Sequence, residues 1–232
     1  MLHTFNFGNI PVIDVFALVW FFALWIGYAR FHHWKSRHAP SVLDTVHGYR
    51  HDWMRRVLSR EYHIEDVSIL ANLSNSATFF GSTTLLILGG LLAMLGTKDK
   101  VISVVADLPF AAKASDELWE VKIVLLILIF IYAFFLFTWS LRQFNFCSIL
   151  VGAAPRPGMS EIDIERYVRR AGRMVALAGS SFNNGLRAYY FALAVLMWFV
   201  HPWLMIIAAA VVVLILYWRE FRSETLKALI DD

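Results

Sequence analysis

Hydrophobic positions divide the chain into long uncharged runs separated by polar, charged connectors. Five apolar runs stand out, at about 12–30, 68–96, 120–141, 182–200 and 203–218. Each approaches or exceeds the roughly 18 to 20 helical residues that cross about 30 Å of hydrocarbon. The connectors at 31–67 and 142–181 follow a different rhythm. In the first, Val42, Val46, Tyr49, Trp53 and Val57 fall on one helical stripe, and Ser41 with Asp44 forms a capping box ahead of it. In the second, the AAPRPG break at 153–158 precedes a further capping box, Ser160 with Asp163. The helix it opens carries Ile164, Val168, Ala171 and Val175 on one side and Arg166, Arg170 and Arg173 on another. That arrangement predicts a helix lying along the membrane surface, running on into the fourth span. His201-Pro202 predicts a tight turn between the last two spans. The expected fold is one transmembrane domain. It is an all-α integral membrane protein with about five transmembrane helices and two cytoplasmic interfacial amphipathic helices.

The run at 68–96 is the most unusual. It lacks any charge, yet its first half holds Asn72, Ser74, Asn75, Ser76, Thr78, Ser82, Thr83 and Thr84. An unpartnered amide in hydrocarbon costs several kcal/mol, so this helix is expected inside a bundle. Small residues such as Ala77, Gly81, Gly89 and Ala93 would let neighbours approach closely. A homo-oligomer is expected on the same ground.

Composition agrees with a membrane protein: of 232 residues, 59% are hydrophobic and only 17% are charged. Charge placement then sets the topology. With the N-terminus outside and the C-terminus inside, segments 30–67, 142–187 and 219–232 are cytoplasmic and hold 7, 7 and 3 Lys/Arg, 17 of the 21. The others are Lys98, Lys100, Lys113 and Lys122, in or beside an acidic outer loop at 97–119. The net charge of +3 therefore reflects basic rims facing anionic lipids at the cytoplasmic face, and nucleic acid is not an expected partner. The first apolar run has its positive charges after it and no small-residue cleavage site, so it reads as a span and not as a secretory signal. Asp14 sits near its outer end, where interfacial water is expected to reach it. The single cysteine, Cys147, excludes an intramolecular disulfide and reads as a small buried residue.

Candidate chemistry gathers at the cytoplasmic ends of three spans. Asn72, Asn75 and Ser76 come from the second span. Ser140, Arg142, Gln143 and Asn145 come from the third, and Ser180, Ser181, Asn183, Asn184 and Arg187 from the fourth. Buried amides and arginines need partners, so these residues form either interhelical bonds or a polar vestibule. The vestibule or ligand candidates are Asn72, Asn75, Ser76, Arg142, Asn145, Asn183, Asn184 and Arg187. No Asp, Glu, Lys, Arg or His lies near the centre of a span, which argues against a proton-driven carrier. Six of the eight histidines fall within 31–67. His47 and His51 share a helix face as metal ligands do, although Gly48 stands where an HExxH motif has glutamate. No P-loop, GxGxxG or GxSxG motif occurs, and neither a catalytic residue nor a cofactor is predicted.

Four stretches carry a resemblance: 75–96 (NSATFFGSTTLLILGGLLAMLG), 182–199 (FNNGLRAYYFALAVLMWF), 216–226 (LYWREFRSETL) and the weaker RHDWMRR at 50–56. Through them the chain resembles a family of bacterial membrane proteins with plant relatives, catalogued as a domain of unknown function. The resemblance implies a polytopic protein of the bacterial cytoplasmic (inner) membrane and no catalytic residue. The expected function is channel-like or permeation-related. The alternatives are a non-catalytic accessory or scaffold subunit of a larger membrane complex, and a membrane enzyme or metal protein using the histidine connector.

Overall fold

The computed structural model describes residues 11–96, 115–155, 158 and 160–230. They form seven helices and, among the described residues, no strand: α1 (Val12–Lys35), α2 (Val42–Val57), α3 (Ile64–Gly96), α4 (Asp116–Gly152), α5 (Glu161–Trp198), α6 (Pro202–Phe221) and α7 (Glu224–Ile230). The outer-loop lysines Lys98, Lys100 and Lys113 lie outside the described residues, as does part of the 153–158 break.

Among the described residues, four helical stretches are long and apolar enough to cross a membrane: α1, α3, α4, and α6 with its continuation to Ile230. The expected crossing at 182–200 falls on the second half of α5. This helix runs 38 residues without interruption from its surface-type first half, as the absence of any Pro between 161 and 198 allows. α4 also runs past its expected end at 141. No helix breaker intervenes before Pro155, so Arg142, Gln143, Asn145 and Cys147 belong to the helix and not to a connector.

Local signals explain where several helices begin. Ser41 Oγ accepts from the Asp44 backbone N–H at 3.2 Å and donates to the Asp44 carboxylate at 2.7 Å. Ser160 and Asp163 repeat the arrangement at 3.3 and 2.7 Å, each pair supplying one of the partners a helix start lacks. Pro202 opens α6, where its missing N–H is no loss.

The chain folds as two compact units. The first takes the described residues of Met1–His38, Leu85–Tyr132 and Arg187–Trp218. Its centre is aromatic: Phe21 meets Phe191 edge-on, and Trp25 stacks on Phe191 at 5.1 Å between ring centroids. Asp14 corrects the expectation of contact with interfacial water, being only 3% exposed. Its carboxylate accepts from Trp198 Nε1 at 2.6 Å, while the equally buried Lys122 donates to the Trp198 carbonyl at 2.9 Å. One tryptophan thus ties a buried anion and a buried cation from three helices.

The second unit takes Ala39–Thr84, Ala133–Leu186 and the described part of Arg219–Asp232. Met54, Val57, Leu70, Phe144, Cys147 and Val175 are among its buried core residues. Phe137 is completely buried between Phe80, stacked at 5.4 Å, and Phe182 at 5.6 Å. A Cβ placed on Gly185 would come within 2.6 Å of the Phe137 ring, so the absence of a side chain there lets α4 and α5 meet.

Candidate functional site

Three polar arrangements in the second unit bear on function. The first joins α4 to α5. Ser140 Oγ donates to the Ala178 carbonyl at 2.8 Å. The Gln143 amide, in the orientation that satisfies both its ends, donates to Leu177 O and Ser181 Oγ and accepts from Trp139 Nε1. These residues hold helices together, the interhelical use that polar side chains in apolar surroundings commonly serve.

The predicted vestibule residues are placed differently. Asn72, Asn75 and Ser76 are exposed on α3, as are Arg142 and Asn145 on α4 and Asn184 on α5; Asn183 is half-buried. The side chains of Asn72, Asn75 and Asn145 make no hydrogen bond among the described residues. Arg142 lies over the Phe146 ring at 5.7 Å. Arg187, which belongs to the first unit, is half-buried and lies over the Tyr28 ring at 5.5 Å. Within one chain, then, α3 turns its amides outward, and the expectation that they face inward is corrected. Leu70, Ala77 and Thr84, from the opposite side of the helix, are among its buried positions. These contacts draw α3 onto its neighbours, which leaves the amide face uncovered.

The second arrangement lies between α2 and α5. The expected apolar stripe of α2 turns inward only in part: Val57 is fully buried and Trp53 packs against the core, whereas Tyr49 is 55% exposed and donates its hydroxyl to the Leu229 carbonyl of α7 at 3.1 Å. His47, Arg50 and His51 also face the protein, followed by Met54. The cause is on α5, whose glycines leave room for polar heads. The His51 ring sits against Gly172, where a Cβ would lie 2.8 Å from Nδ1, and the Arg50 guanidinium covers Gly179, with Cζ 2.6 Å from a Cβ built there. His47 Nε2 lies 3.5 Å from Ser180 Oγ. His47 and His51 do share a face, as their spacing predicts. Burial, then the nearby Arg50 charge, lowers the His47 pKa from its ordinary value. Burial also lowers that of Arg50, whose Nη1 is buried without a hydrogen-bond partner among the described residues. Among those residues no group of three or more His, Cys, Asp or Glu side chains is arranged to hold a metal ion.

The third arrangement fixes the start of α3. Asp66 is fully buried and accepts from Trp53 Nε1 at 2.7 Å and from Arg60 Nη1 at 2.6 Å. Asp66 is a residue for which the pattern of the sequence predicts no role. The readable signal is an acid two positions before a long apolar run, with a tryptophan and an arginine upstream.

No curated protein and no solved structure matches the chain. Over residues 16–225 it matches the model of a family described as a protein of unknown function, DUF599, and it belongs to that family.

Proposed function

We propose that this is a multi-pass protein of the bacterial cytoplasmic membrane that works as a homo-oligomer, with the polar face of α3 at the contact between copies. In this reading the chain crosses five times with its N-terminus outside, as its Lys/Arg distribution favours. The permeation vestibule is shared between copies: Asn72, Asn75 and Ser76 line it together with Asn145, Asn183 and Asn184, and Arg142 favours anions.

The observation that carries the proposal is the outward placement of Asn72 and Asn75 with their amides unbonded on a helix apolar enough to cross a membrane. Facing lipid, each amide costs several kcal/mol. A second copy removes that cost with the same residues, because an amide both donates and accepts and so matches itself across a two-fold axis. An accessory-subunit reading rests on the same face meeting a foreign helix.

Light scattering on protein purified in mild detergent, paired with conductance in planar bilayers, separates these readings. Wild type is expected as a homo-oligomer, and Asn75→Leu should shift it towards monomer and reduce any conductance. A stoichiometric foreign partner would favour the accessory reading. A monomer that conducts nothing at any salt or voltage overturns the proposal. For His47 and His51, metal analysis of protein prepared without a histidine tag decides: an empty site after zinc or iron dialysis removes the metal reading.

A further inference from the structure

In the first unit, the last turns of α1, Arg37 in the turn after it and one residue of α4 line an open groove of about 660 Å³. One end is cationic. Arg30, His33 and Arg37 follow one another at helical spacings of three and four, and all three are exposed. Arg37 Nη2 lies 2.9 Å from His33 Nε2, so the two side chains sit together at this end. Arg30 and Arg37 pair with no carboxylate among the described residues. This sets them apart from Arg55, Arg60 and Arg166, which pair with Glu165, Asp66 and Asp163.

The other end is apolar and rigid. Trp25, Ile26 and Tyr132 form its wall, and Trp25 is held by its stack on Phe191 and by an edge contact with Tyr132 at 6.1 Å. Arg30 is the first charged residue after fifteen uncharged positions, 15–29. The groove therefore straddles the depth at which hydrocarbon gives way to headgroups, where aromatic rings and basic side chains both settle.

A soluble anion would use the cations and leave the aromatic wall bare. A zwitterionic lipid would bring its own cation among three basic groups. We infer that this groove binds one anionic phospholipid, its phosphate and acidic headgroup on Arg30, His33 and Arg37 and an acyl chain along Trp25, Ile26 and Tyr132. Charge complementarity commits the site to that occupant, and the guanidinium fork suits a phosphate. This goes beyond a general attraction of basic rims for acidic lipids, because it names one site and one stoichiometry.

Native mass spectrometry of the full chain in mild detergent tests it, with phosphatidylglycerol, phosphatidylcholine, inorganic phosphate and the soluble headgroup glycerophosphoglycerol as probes. One phosphatidylglycerol is expected to bind about tenfold more tightly than phosphatidylcholine, a difference of about 1.4 kcal/mol. Arg30→Gln/Arg37→Gln should abolish the preference, each single substitution should lower it part-way, and Arg56→Gln/Arg222→Gln, which removes the same charge from exposed positions elsewhere, should retain it. The four arginines are exposed, so the variants should fold, and unchanged helical circular dichroism checks this. Equal affinity for the two lipids, or a preference surviving in the Arg30/Arg37 variant, overturns the site. Displacement of the lipid by equimolar phosphate or free headgroup overturns its assignment to a lipid.

Discussion

Replacing Gly185 by alanine isolates the contact that lets α4 and α5 approach. In an ordinary exposed helix the change gains about 1 kcal/mol, because alanine loses less backbone freedom than glycine on folding. At Gly185 the new methyl would lie 2.6, 2.7 and 2.9 Å from three atoms of the Phe137 ring. Comfortable carbon–carbon contact is about 3.5–4.0 Å, so the ring must retreat by about 1 Å. Phe80 stacks on one side of it, Phe182 closes another, and Phe137 is completely buried. Its Cβ also lies 3.9 Å from the position of a Cβ on Gly81, which leaves little slack towards α3. Overpacking of this kind costs about 1–3 kcal/mol, so Gly185→Ala should end roughly 1 kcal/mol less stable than wild type. Gly27, exposed with nothing within 4 Å of a built Cβ, is the control and should gain up to about 1 kcal/mol. Unfolding in mixed micelles by SDS titration, followed by tryptophan fluorescence, supplies both values. Phe137→Leu should relieve the clash, giving a favourable coupling of about 1 kcal/mol or more in the double-mutant cycle. Equal stabilisation by Gly185→Ala and Gly27→Ala, or strict additivity with Phe137→Leu, would refute the packing argument.

Other parts of the fold yield their own tests by the same titration. Lys122→Met removes the cation from the buried Asp14–Trp198–Lys122 group and should cost about 3 kcal/mol, with Asp14→Asn/Lys122→Met recovering part of the loss. Asp66→Ala leaves Arg60 and the Trp53 N–H without their shared acceptor; a loss of about 3 kcal/mol and earlier proteolysis after Arg60 are expected. His47, whose folded pKa is lowered, stabilises the fold fully above the ordinary histidine value and loses that contribution as pH falls through its folded pKa. Protection factors in α2, corrected for the intrinsic pH dependence of amide exchange, should accordingly fall from pH 7 to pH 5, and less so in His47→Gln; an equal pH dependence of protection in the two proteins would contradict this.

Much of the helical framework is legible in the residues. The caps at Ser41 and Ser160, the break at His201-Pro202 and the apolar runs are local signals, and local signals set helix ends. The faces of the helices are harder. The chemistry of Asn72 and Asn75 calls for a partner away from lipid, but it does not say whether that partner is a helix of the same chain or of another copy, so the inward expectation failed within one chain. The inward face of α2 depended on Gly172 and Gly179 of α5, which leave space for Arg50 and His51 and lie over a hundred residues away. Periodicity within α2 puts Tyr49 on one stripe with the buried Val57, although Tyr49 itself is exposed. Asp14 looked like an interfacial acid because its partner, Trp198, is remote in sequence. A polar or charged residue inside these units finds its role through a distant neighbour, and no window along one helix contains that neighbour.

The proposal that the amide face of α3 joins two copies is tested most directly by a cysteine scan along α3 in native membranes, with Cys147 first replaced by alanine. Oxidative cross-linking should peak with helical periodicity at the exposed positions 72, 75, 76 and 79 and fall at the inward positions 70, 77 and 84. A flat profile, or a maximum on the inward positions, would contradict it.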